Sequence, residues 1–553
     1  MRIGYCVGVL VPRPQTRRSV AVAAATRRAG VSQMRGMVSR AQGRGPCYLA
    51  ACVHLVLAAE IEKASEPVST HTSSSGSPTS MGAVETTRFV LVLLFLFAAA
   101  LRLALSLSDD GIYWPDEVYQ SLEPAHRLVF GYGLRPWEFI QGARNWAFPG
   151  MVAVLMQIST WLFGAEPLRY LIAIRLAFSA ISLLTAWGTI RLARSVGATE
   201  LGALLAGSLY ALSPPLIYFA PRALSESASA AAVVFGLALL VDRETTLRAI
   251  LVGSSLLGLS VLFRLQNAIF CVGGLTILLA RKRRSEAVLA GSVLAAWALV
   301  YGALDRVTWG CWFNSLFEYL RFNVIEGKAS RWGNSDPAYY LQVLWTSMPL
   351  VTACLIPLVF AAARRASQLL WIALAYLVIH SCIGHKEFRF VVPALPLLYA
   401  SAGVGFGIAV ARFRLAPRAT AAVLVVFGLV AASKFHELTF GDLGQYDERR
   451  AKDSAYDDNG PLNRLLLVAH DQQDLCGLAI YGADLAWTGG YSYLHRRVPV
   501  YSAAAAVVQS HFNYALVAGT FPGHRVASEG RYQLVRLPQA NCTLDPNYQW
   551  LLP

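Results

Sequence analysis

The sequence predicts an all-α polytopic membrane protein of about 11 transmembrane helices, followed by a small C-terminal α/β domain. Hydrophobic residues make up 55% of the 553 positions and charged residues only 15%, against about 25% charged residues in soluble proteins. Apolar runs of span length recur along most of the chain, and basic residues cluster in alternate connections. These observations exclude a disordered chain and a string of ordinary soluble domains.

Each predicted span is an apolar run close to the length that crosses a bilayer. A further run at 148–164 begins at Phe148-Pro149-Gly150 and is interpreted as an interfacial or re-entrant segment. That interpretation keeps loop 108–147 on the non-cytoplasmic side, whereas a full crossing would move the loop to the cytoplasm. The spans are predicted near 88–107, 168–190, 201–219, 228–241, 247–263, 266–280, 285–303, 345–363, 366–384, 390–411 and 416–433.

Basic residues determine the predicted orientation of the spans. The formal net charge is +15, and much of it falls in short connections, of which Arg281-Lys282-Arg283-Arg284 carries the most. Such clusters recur at every second connection and are therefore placed in the cytoplasm, together with the N-terminus. The tail after residue 433 is then non-cytoplasmic. No soluble segment concentrates the charge on one face, which argues against a nucleic-acid-binding protein.

Composition divides the chain into three parts. Residues 1–85 are rich in Arg, Ser, Thr and Ala, and are interpreted as a disordered extension or as sequence upstream of a true start at Met81. A transit peptide is the alternative interpretation. Residues 86–434 form the predicted transmembrane domain, and residues 435–553 form the predicted non-cytoplasmic α/β domain.

Polarity rises after residue 433, and short apolar runs bounded by Gly and Pro then predict strands. Cys476 and Cys542 can form a disulfide if this region faces an oxidising compartment. The tripeptide Asn541-Cys542-Thr543 fits the N-glycosylation pattern. The strand-like runs are Gly477–Tyr481, Val498–Tyr501, Tyr514–Ala518 and Tyr532–Leu537.

The loop after the first predicted span carries the first set of candidate site residues. Four carboxylates occur within nine residues, from Asp109 to Glu117, and Glu123 follows as a supporting residue. Pro115 suits the first turn of a helix, where the ionised carboxylates of Asp116 and Glu117 are stabilised. An ionised carboxylate at the bilayer surface can act as a general base on a sugar hydroxyl. Helix capping and loop solvation are the alternative explanation.

A second candidate cluster lies between two later spans, on the predicted non-cytoplasmic side. Its three potentially cationic side chains, His385, Lys386 and Arg389, break the positive-inside pattern. Arg binds phosphate through a bidentate fork and Lys as a point charge, so the group suits an anionic phosphate ligand. Glu387 is expected to orient one of the cations. Anchoring to lipid headgroups is the alternative explanation.

Further polar residues are predicted to converge on the same surface. Arg222 and Glu226 lie at the start of one span, and Arg264 follows another. Arg222 is a candidate phosphate ligand and Arg264 a supporting cation. The loop 304–344 is rich in aromatic and amide side chains, which suit sugar recognition but are also typical of an interfacial aromatic belt.

Two motifs together carry a resemblance to a known family. The run that begins Trp114-Pro115-Asp116-Glu117-Val118-Tyr119 and continues to Pro136-Trp137-Glu138 and Phe148-Pro149-Gly150 resembles the first lumenal loop of glycosyltransferase family 22. The run His385-Lys386-Glu387-Phe388-Arg389-Phe390, with Pro393 and Pro396, resembles that family's HKEeRF…P…P signature. Trp114 stands at the family's usual His, and Phe388 at its second acidic residue.

The resemblance covers roughly residues 86 to 435 and implies a GT-C type fold, with 86–434 as the catalytic domain. It also implies that mannose is transferred from a polyprenyl (dolichyl) phosphate mannose donor to a lipid-linked glycan such as a glycosylphosphatidylinositol (GPI) precursor. A single displacement would invert a β-linked donor to an α-mannoside. In this scheme Asp116 is the general base with Glu117 as second choice, and the donor phosphate is bound by His385, Lys386, Arg389 and Arg222.

The implied scheme requires no metal and no cofactor, and its partners are the lipid donor, the lipid-linked acceptor and membrane lipids, without nucleic acid. A GT-C transferase for another sugar and a lipid or sugar transporter are the alternatives. A transporter usually shows matching halves, and the sequence shows no such internal repeat. The predicted location is the endoplasmic reticulum membrane in a eukaryote, or the cytoplasmic membrane in a bacterium.

Overall fold

Helices account for most of the computed structural model, which describes residues 79–445, 451–456, 458–502, 511–538, 543 and 545–552. The predictions for the tail before residue 79, for the disulfide that involves Cys542 and for the Asn541 sequon concern residues outside this set. The described residues, from Thr79 onward, pack as one compact unit.

The membrane region is built from apolar helices joined by short connections. Among the described residues, four helices are long and apolar enough to cross a membrane, and seven shorter apolar helices accompany them. The chain is therefore a multi-pass membrane protein of predominantly helical fold, and the number of crossings stays a prediction. The helices are α1 (Thr79–Ser108), α2 (Glu123–Phe130), α3 (Trp137–Gln141), α4 (Ala147–Phe163), α5 (Pro167–Ser195), α6 (Glu200–Leu212), α7 (Pro214–Tyr218), α8 (Ser225–Val241), α9 (Leu247–Phe263), α10 (Ala268–Ala280), α11 (Arg284–Trp309), α12 (Asn314–Leu320), α13 (Tyr339–Ser347), α14 (Pro349–Ala362), α15 (Ser367–Ser381), α16 (Leu395–Phe413) and α17 (Pro417–Ser433).

Small residues allow two central helices to approach closely. Gly202 on α6 faces Gly403 on α16, and a Cβ atom on either glycine would collide with the backbone carbonyl of the other. Such contacts stabilise helix pairs in a membrane, where lipid provides no hydrophobic drive for association. The contact fixes α16, which begins just after the predicted cationic segment at 385–389.

Helix α4 corresponds to the apolar run at 148–164. At its start, Asn145 donates a hydrogen bond to Asp305 near the end of α11. At its other end a three-residue connection leads to α5, where Arg175 pairs with Asp110 of the first loop. These contacts tie α4 and α5 to the neighbouring segments, and the interfacial placement of α4 stays a prediction.

The C-terminal part combines two helices with one sheet. Within the described residues the strand order is β2-β1-β3-β5-β4, with parallel pairing around β1 and antiparallel pairing around β5. One buried apolar cluster joins Val118 of the first loop, Ile174 of α5 and Leu478 of the sheet. The C-terminal part thus packs directly on the first loop. Its elements are α18 (Gly460–His470), β1 (Leu478–Tyr481), α19 (Gly490–Leu494), β2 (Val500–Ser502), β3 (Tyr514–Ala518), β4 (His524–Glu529) and β5 (Tyr532–Arg536).

Candidate active site

The first loop becomes helical at Pro115. As a result, the side chains of Asp116 and Glu117 point in different directions. Trp114 is extended, Pro115 occupies the first helical position, and the turn Pro115–Glu117 continues into a π-helical stretch at Val118–Leu122. Consecutive helical residues point in directions about 100° apart. Asp116 and Glu117 therefore reach two different charged clusters.

The first cluster, here named the cavity cluster, consists of Asp116, Glu226, Arg264, Glu387 and Arg389. Arg389 Nη2 donates to Asp116 Oδ2 at 2.6 Å, while Arg389 Nε and Nη2 donate to the two oxygens of Glu387 at 2.7 and 2.8 Å. Such bidentate pairing fixes the plane of the guanidinium. The side chain of Asp116 is 25% exposed, whereas that of Arg389 is 3% exposed. Asp116 is thus the member of this ion pair that solvent and a substrate can reach.

Glu226 joins two arginines behind this pair. Its Oε1 lies 2.7 Å from Arg264 Nη1 and 3.4 Å from Arg389 Nη1, and its side chain is fully buried. The ring of Phe390 lies 4.8 Å from the Arg264 guanidinium and 5.1 Å from that of Arg389. Buried charges require such partners because desolvation would otherwise be prohibitive. The structure therefore brings the predicted supporting residue Arg264 into the same network as Arg389.

His385 and Lys386 lie beside this network with different partners. His385 Nε2 is 3.1 Å from Glu387 Oε1. Lys386 Nζ donates to the backbone carbonyl of Ser335 at 2.7 Å and to that of Gly384 at 3.5 Å. Its hydrogen-bond partners are neutral carbonyls, and burial lowers the pKa of Lys386 although the charge of Asp336 opposes that shift. Lys386 is therefore the cation here whose charge is best available to an anionic ligand.

The carboxylate of Glu387 favours its ionised form. Although burial favours its neutral form, Arg389, with a hydrogen bond from His385, outweighs that effect and lowers the pKa of Glu387 to about 2. A permanent negative charge on Glu387 keeps the Arg389 guanidinium fixed in front of Asp116. Glu387 thus has the orienting position that the sequence predicts for it.

A cavity opens in front of Asp116 and Arg389. Its lining comes from the first loop, from α9 and the turn after it, and from α12. The lining combines apolar and polar side chains. The polar side chains are Gln120, Arg144, Asn145, Ser225, Arg264, Gln266, Ser315 and Tyr319.

Glu138 is a second carboxyl group of the cavity region to which the sequence assigned no role. Gln120 Nε2 donates to Glu138 Oε1 at 2.8 Å. Burial and the neighbouring charge of Asp116 raise the pKa of Glu138 to about 7. The signal in the sequence was the segment Pro136-Trp137-Glu138, which belongs to the first family-like motif.

The second cluster, here named the buried clamp, consists of Asp109, Glu117, Arg222 and Asp458. Arg222 pairs with Asp109 at 2.9 Å, with Glu117 at 3.0 Å and with Asp458 at 2.8 Å. Its guanidinium also lies 4.1 Å from the ring centroid of Tyr218. Burial and the charge of Asp109 raise the pKa of Asp458 to about 7. The clamp ties the first loop to the C-terminal part.

This placement differs from the surroundings expected for two of the predicted site residues. Arg222 was predicted to bind the donor phosphate, but three carboxylates and a ring already surround its guanidinium. Glu117 was the second choice for the general base, but its carboxylate is buried and accepts hydrogen bonds from Arg222 and from the backbone N–H of Tyr113. The geometry therefore assigns both residues to the clamp and not to the cavity.

Glu123 also holds the C-terminal part in place. Its buried carboxylate accepts hydrogen bonds from Leu134 N at 2.7 Å and from Ser492 N and Oγ at 3.0 Å each. Burial raises the pKa of Glu123 to about 7. Its supporting role is therefore to fix the first loop against α19, away from Asp116.

Two crystal structures of ArnT from Cupriavidus metallidurans share this fold. The apo form aligns with a TM-score of 0.54 at 17% identity, covering 82% of this chain and 98% of that one. The form bound to undecaprenyl phosphate aligns with a TM-score of 0.53 at 15% identity, covering 84% and 100%. The fold is therefore that of the GT-C class of membrane glycosyltransferases.

The sequence places the chain within that class. The model of the Alg9-like mannosyltransferase family matches residues 93–446, a segment that includes both Asp116 and Arg389. The chain belongs to this family, and the predicted resemblance is confirmed.

Two relatives illustrate the match. GPI mannosyltransferase 3 of Yarrowia lipolytica is 31% identical over 55% of this chain and 60% of its own length. GPI alpha-1,2-mannosyltransferase 3 of Mus musculus is 28% identical over 56% and 58%. The alignment with this chain thus spans about three fifths of these relatives.

Proposed function

We propose that the protein is a membrane mannosyltransferase that uses a polyprenyl (dolichyl) phosphate mannose donor and a lipid-linked glycan acceptor such as a GPI precursor. The observation that carries the proposal is the pair of Asp116 and Arg389, 2.6 Å apart at the wall of a cavity, with Asp116 exposed. Membership in a mannosyltransferase family and the names of the relatives support the sugar and the pathway. The ArnT structure with undecaprenyl phosphate supports a polyprenyl phosphate donor.

Two residues of the cavity cluster and the neighbouring Lys386 supply the steps of a single displacement. Asp116 accepts the proton of the acceptor hydroxyl, whose oxygen attacks the anomeric carbon. The bond between that carbon and the phosphate oxygen breaks, and polyprenyl phosphate leaves with the electron pair. Lys386 and Arg389 stabilise the negative charge that develops on this phosphate. Attack from the opposite face converts a β-linked donor to an α-mannoside.

The same proposal includes sidedness and domain organisation. The cavity cluster lies at the end of α8 opposite the basic connections, so it faces the lumen if those connections are cytoplasmic. The names of the eukaryotic relatives favour the endoplasmic reticulum membrane. Residues 86–434 then form the catalytic domain, and residues 435–553 lie on the lumenal side.

Donor discrimination tests the proposal. The purified protein is incubated with an acceptor glycolipid and labelled polyprenyl phosphate carrying mannose, glucose or arabinose, with Asp116→Asn as the inactive control. We expect label in the glycolipid only from the mannose donor, and none with Asp116→Asn. Transfer from another donor would identify a different GT-C transferase. Movement of intact donor across a vesicle membrane without transfer would indicate a transporter.

A further inference from the structure

A long groove runs along one face of α8, between α5 and α9, and is distinct from the candidate active site. Its volume is about 1710 Å³. Along α8 it extends from Ala228 to Asp242, about 21 Å at the helical rise per residue. Alanines at 228, 231, 232 and 238 leave room for an apolar chain along its floor.

The walls of this groove are apolar except at one end. Ile181 and Leu184 of α5 face Val252, Leu256 and Leu259 of α9. The residues at the end nearer the candidate active site are also apolar: Met151, Ala228 and Phe263. The groove therefore has the character of a lipid-chain site over most of its length.

The opposite end of the groove is strongly basic. Seven arginines line it, against only two carboxylates, Asp242 and Glu244. The arginines come from the end of α5 and from the connections α8–α9, α10–α11 and α14–α15, so they are far apart in sequence. They are Arg191, Arg194, Arg243, Arg281, Arg283, Arg364 and Arg365.

Two of these arginines are held in position by hydrogen bonds, one of them also by an ion pair. Arg281 Nη1 donates to the carbonyl of Val241 at 2.7 Å, and its Nη2 donates to Gln368 Oε1 at 2.8 Å. Arg283 Nη2 donates to the carbonyl of Thr245 at 3.0 Å and to Glu286 Oε1 at 3.1 Å, while its Nη1 is buried and has no hydrogen-bond partner among the described residues. Burial and the positive charges of Arg243 and Arg283 lower the pKa of Arg281. The cluster is thus fixed while its members repel one another, an arrangement that an anion would relieve.

The positive-inside rule requires arginines in these connections but does not require them to meet at one groove. We propose that the groove binds an anionic glycerophospholipid of the cytoplasmic leaflet, with its headgroup phosphate on the arginines and a chain along α8. Basic pockets between membrane helices on the cytoplasmic side bind such headgroups. A polyprenyl phosphate donor fits less well, since its phosphate belongs at Lys386, beyond the apolar end. The choice of the cytoplasmic leaflet depends on the proposed sidedness of the protein. The binding of an anionic lipid in the groove does not depend on it.

Lipid retention by the full-length protein tests this site. The protein is purified from nanodiscs that contain phosphatidylserine and phosphatidylcholine with identical acyl chains, and retained lipid is counted by mass spectrometry. We expect phosphatidylserine to be enriched. The triple variant Arg191→Gln, Arg243→Gln, Arg364→Gln should lose that enrichment by about tenfold or more.

A matched triple variant controls for total charge. Arg248→Gln, Arg284→Gln and Arg412→Gln remove the same charge from exposed arginines that do not line the groove, and enrichment should stay within about twofold of the native protein. Equal losses in both triple variants would overturn the proposal. So would equal retention of the two lipids, or displacement of phosphatidylserine by polyprenyl phosphate.

A second variant tests the chain-binding part without a change in charge. Ala232→Phe fills the groove beside α8 and should reduce retained phosphatidylserine, with thermal unfolding monitored to confirm folding. Undiminished retention would contradict a chain along α8; if the variant does not fold, the arginine variants decide. Lipid retention needs no transfer activity, so an inactive protein that still enriches phosphatidylserine would count against the proposed function alone.

Discussion

The cavity cluster and the buried clamp contain adjacent residues, Asp116 and Glu117, but have different proposed roles. Asp116 is 25% exposed and pairs with Arg389 beside a cavity. Glu117 is buried and pairs with Arg222, which also binds Asp458 of the C-terminal part. The same side-chain chemistry at adjacent positions thus supplies a candidate base in one case and a structural anchor in the other.

Exposure and charge balance explain the difference. In the cavity cluster, Arg389 lowers the pKa of Glu387 to about 2. In the clamp, three carboxylates share Arg222, and the pKa of Asp458 rises to about 7. The cavity cluster keeps a fixed ionic arrangement beside the cavity, and the buried clamp favours an extra proton inside the protein.

The largest expected effect on stability is that of Arg222→Met. The substitution leaves Asp109, Glu117 and Asp458 buried without a cation, which should cost about 3–5 kcal/mol of the free energy of unfolding. Urea denaturation in detergent measures the loss, and limited proteolysis should show release of the C-terminal part. Arg464→Met is the control, because its exposed pair with Glu529 is worth at most about 1 kcal/mol. If both variants unfold alike, the clamp is not an anchor.

Lys386→Met should reduce transfer without a comparable loss of stability. Removal of a cation from the leaving phosphate is expected to lower kcat by about 10²-fold to 10³-fold. Lys386→Arg should restore part of the rate, because it restores the charge in a different shape. Steady-state kinetics and the thermal midpoint are measured together, with Lys328→Met at an exposed ion pair as control. A rate like that of the control would remove Lys386 from the phosphate site.

The clamp also predicts a pH dependence of stability. Because the pKa of Asp458 is raised from 3.8 to about 7 on folding, its contribution is complete below pH 3.8 and is lost as pH rises through 7. Asp458→Asn mimics the protonated form and should gain about 1–3 kcal/mol relative to the native protein between pH 5 and pH 8. Urea unfolding of both proteins at pH 5 and at pH 8 measures this gain. An equal free energy of unfolding for the native protein and Asp458→Asn at both pH values would contradict a protonated Asp458.

Glu387 should contribute to stability with the opposite pH dependence. Its lowered pKa means that its contribution is present above pH 4.5 and is lost only as pH falls through about 2. The cavity cluster should therefore stay intact over the range in which the clamp weakens.

The smallest predicted effect is that of Glu138→Gln on the pH profile of transfer. As pH rises through about 7, Glu138 ionises, and its negative charge makes Asp116 a stronger base. The native enzyme should show a rate increase of about twofold to fivefold across this range, and the variant should lack it. Initial rates from pH 6 to pH 8 check this, and an identical step in the variant would assign it to another group.

The sequence alone predicted the membrane class, the family and the residues of both motifs. Pro115 marked the helical turn of Asp116, and the cationic segment at 385–389 broke the positive-inside pattern. Both signals are local, so they are visible without a structure. The contact between Asp116 and Arg389 joins positions 273 residues apart, and only the packing of the helices brings these positions together.

Residues whose partners are distant in the sequence show what local patterns lack. Arg222 and Glu117 were expected near the same surface, but no pattern indicated that Asp458, in a polar connection, would pair with Arg222. Glu123 was grouped with the site because of its charge, although Ser492, 369 residues away, holds it. The sequence can predict on which side of the membrane a residue lies. It cannot predict which residue pairs with it there, because that depends on tertiary contacts.

The most direct measurement compares Asp116→Asn with Glu117→Gln in one purified preparation, recording kcat for mannose transfer and the thermal midpoint. Asp116→Asn should lose at least about 10³-fold in kcat with its thermal midpoint within about 2 °C of the native value. Glu117→Gln should keep most of the transfer activity, because this carboxyl lies in the buried clamp and burial raises its pKa, so that a neutral side chain is tolerated there. Retained transfer in Asp116→Asn, or abolished transfer with a native thermal midpoint in Glu117→Gln, would contradict the assignment of the base to Asp116.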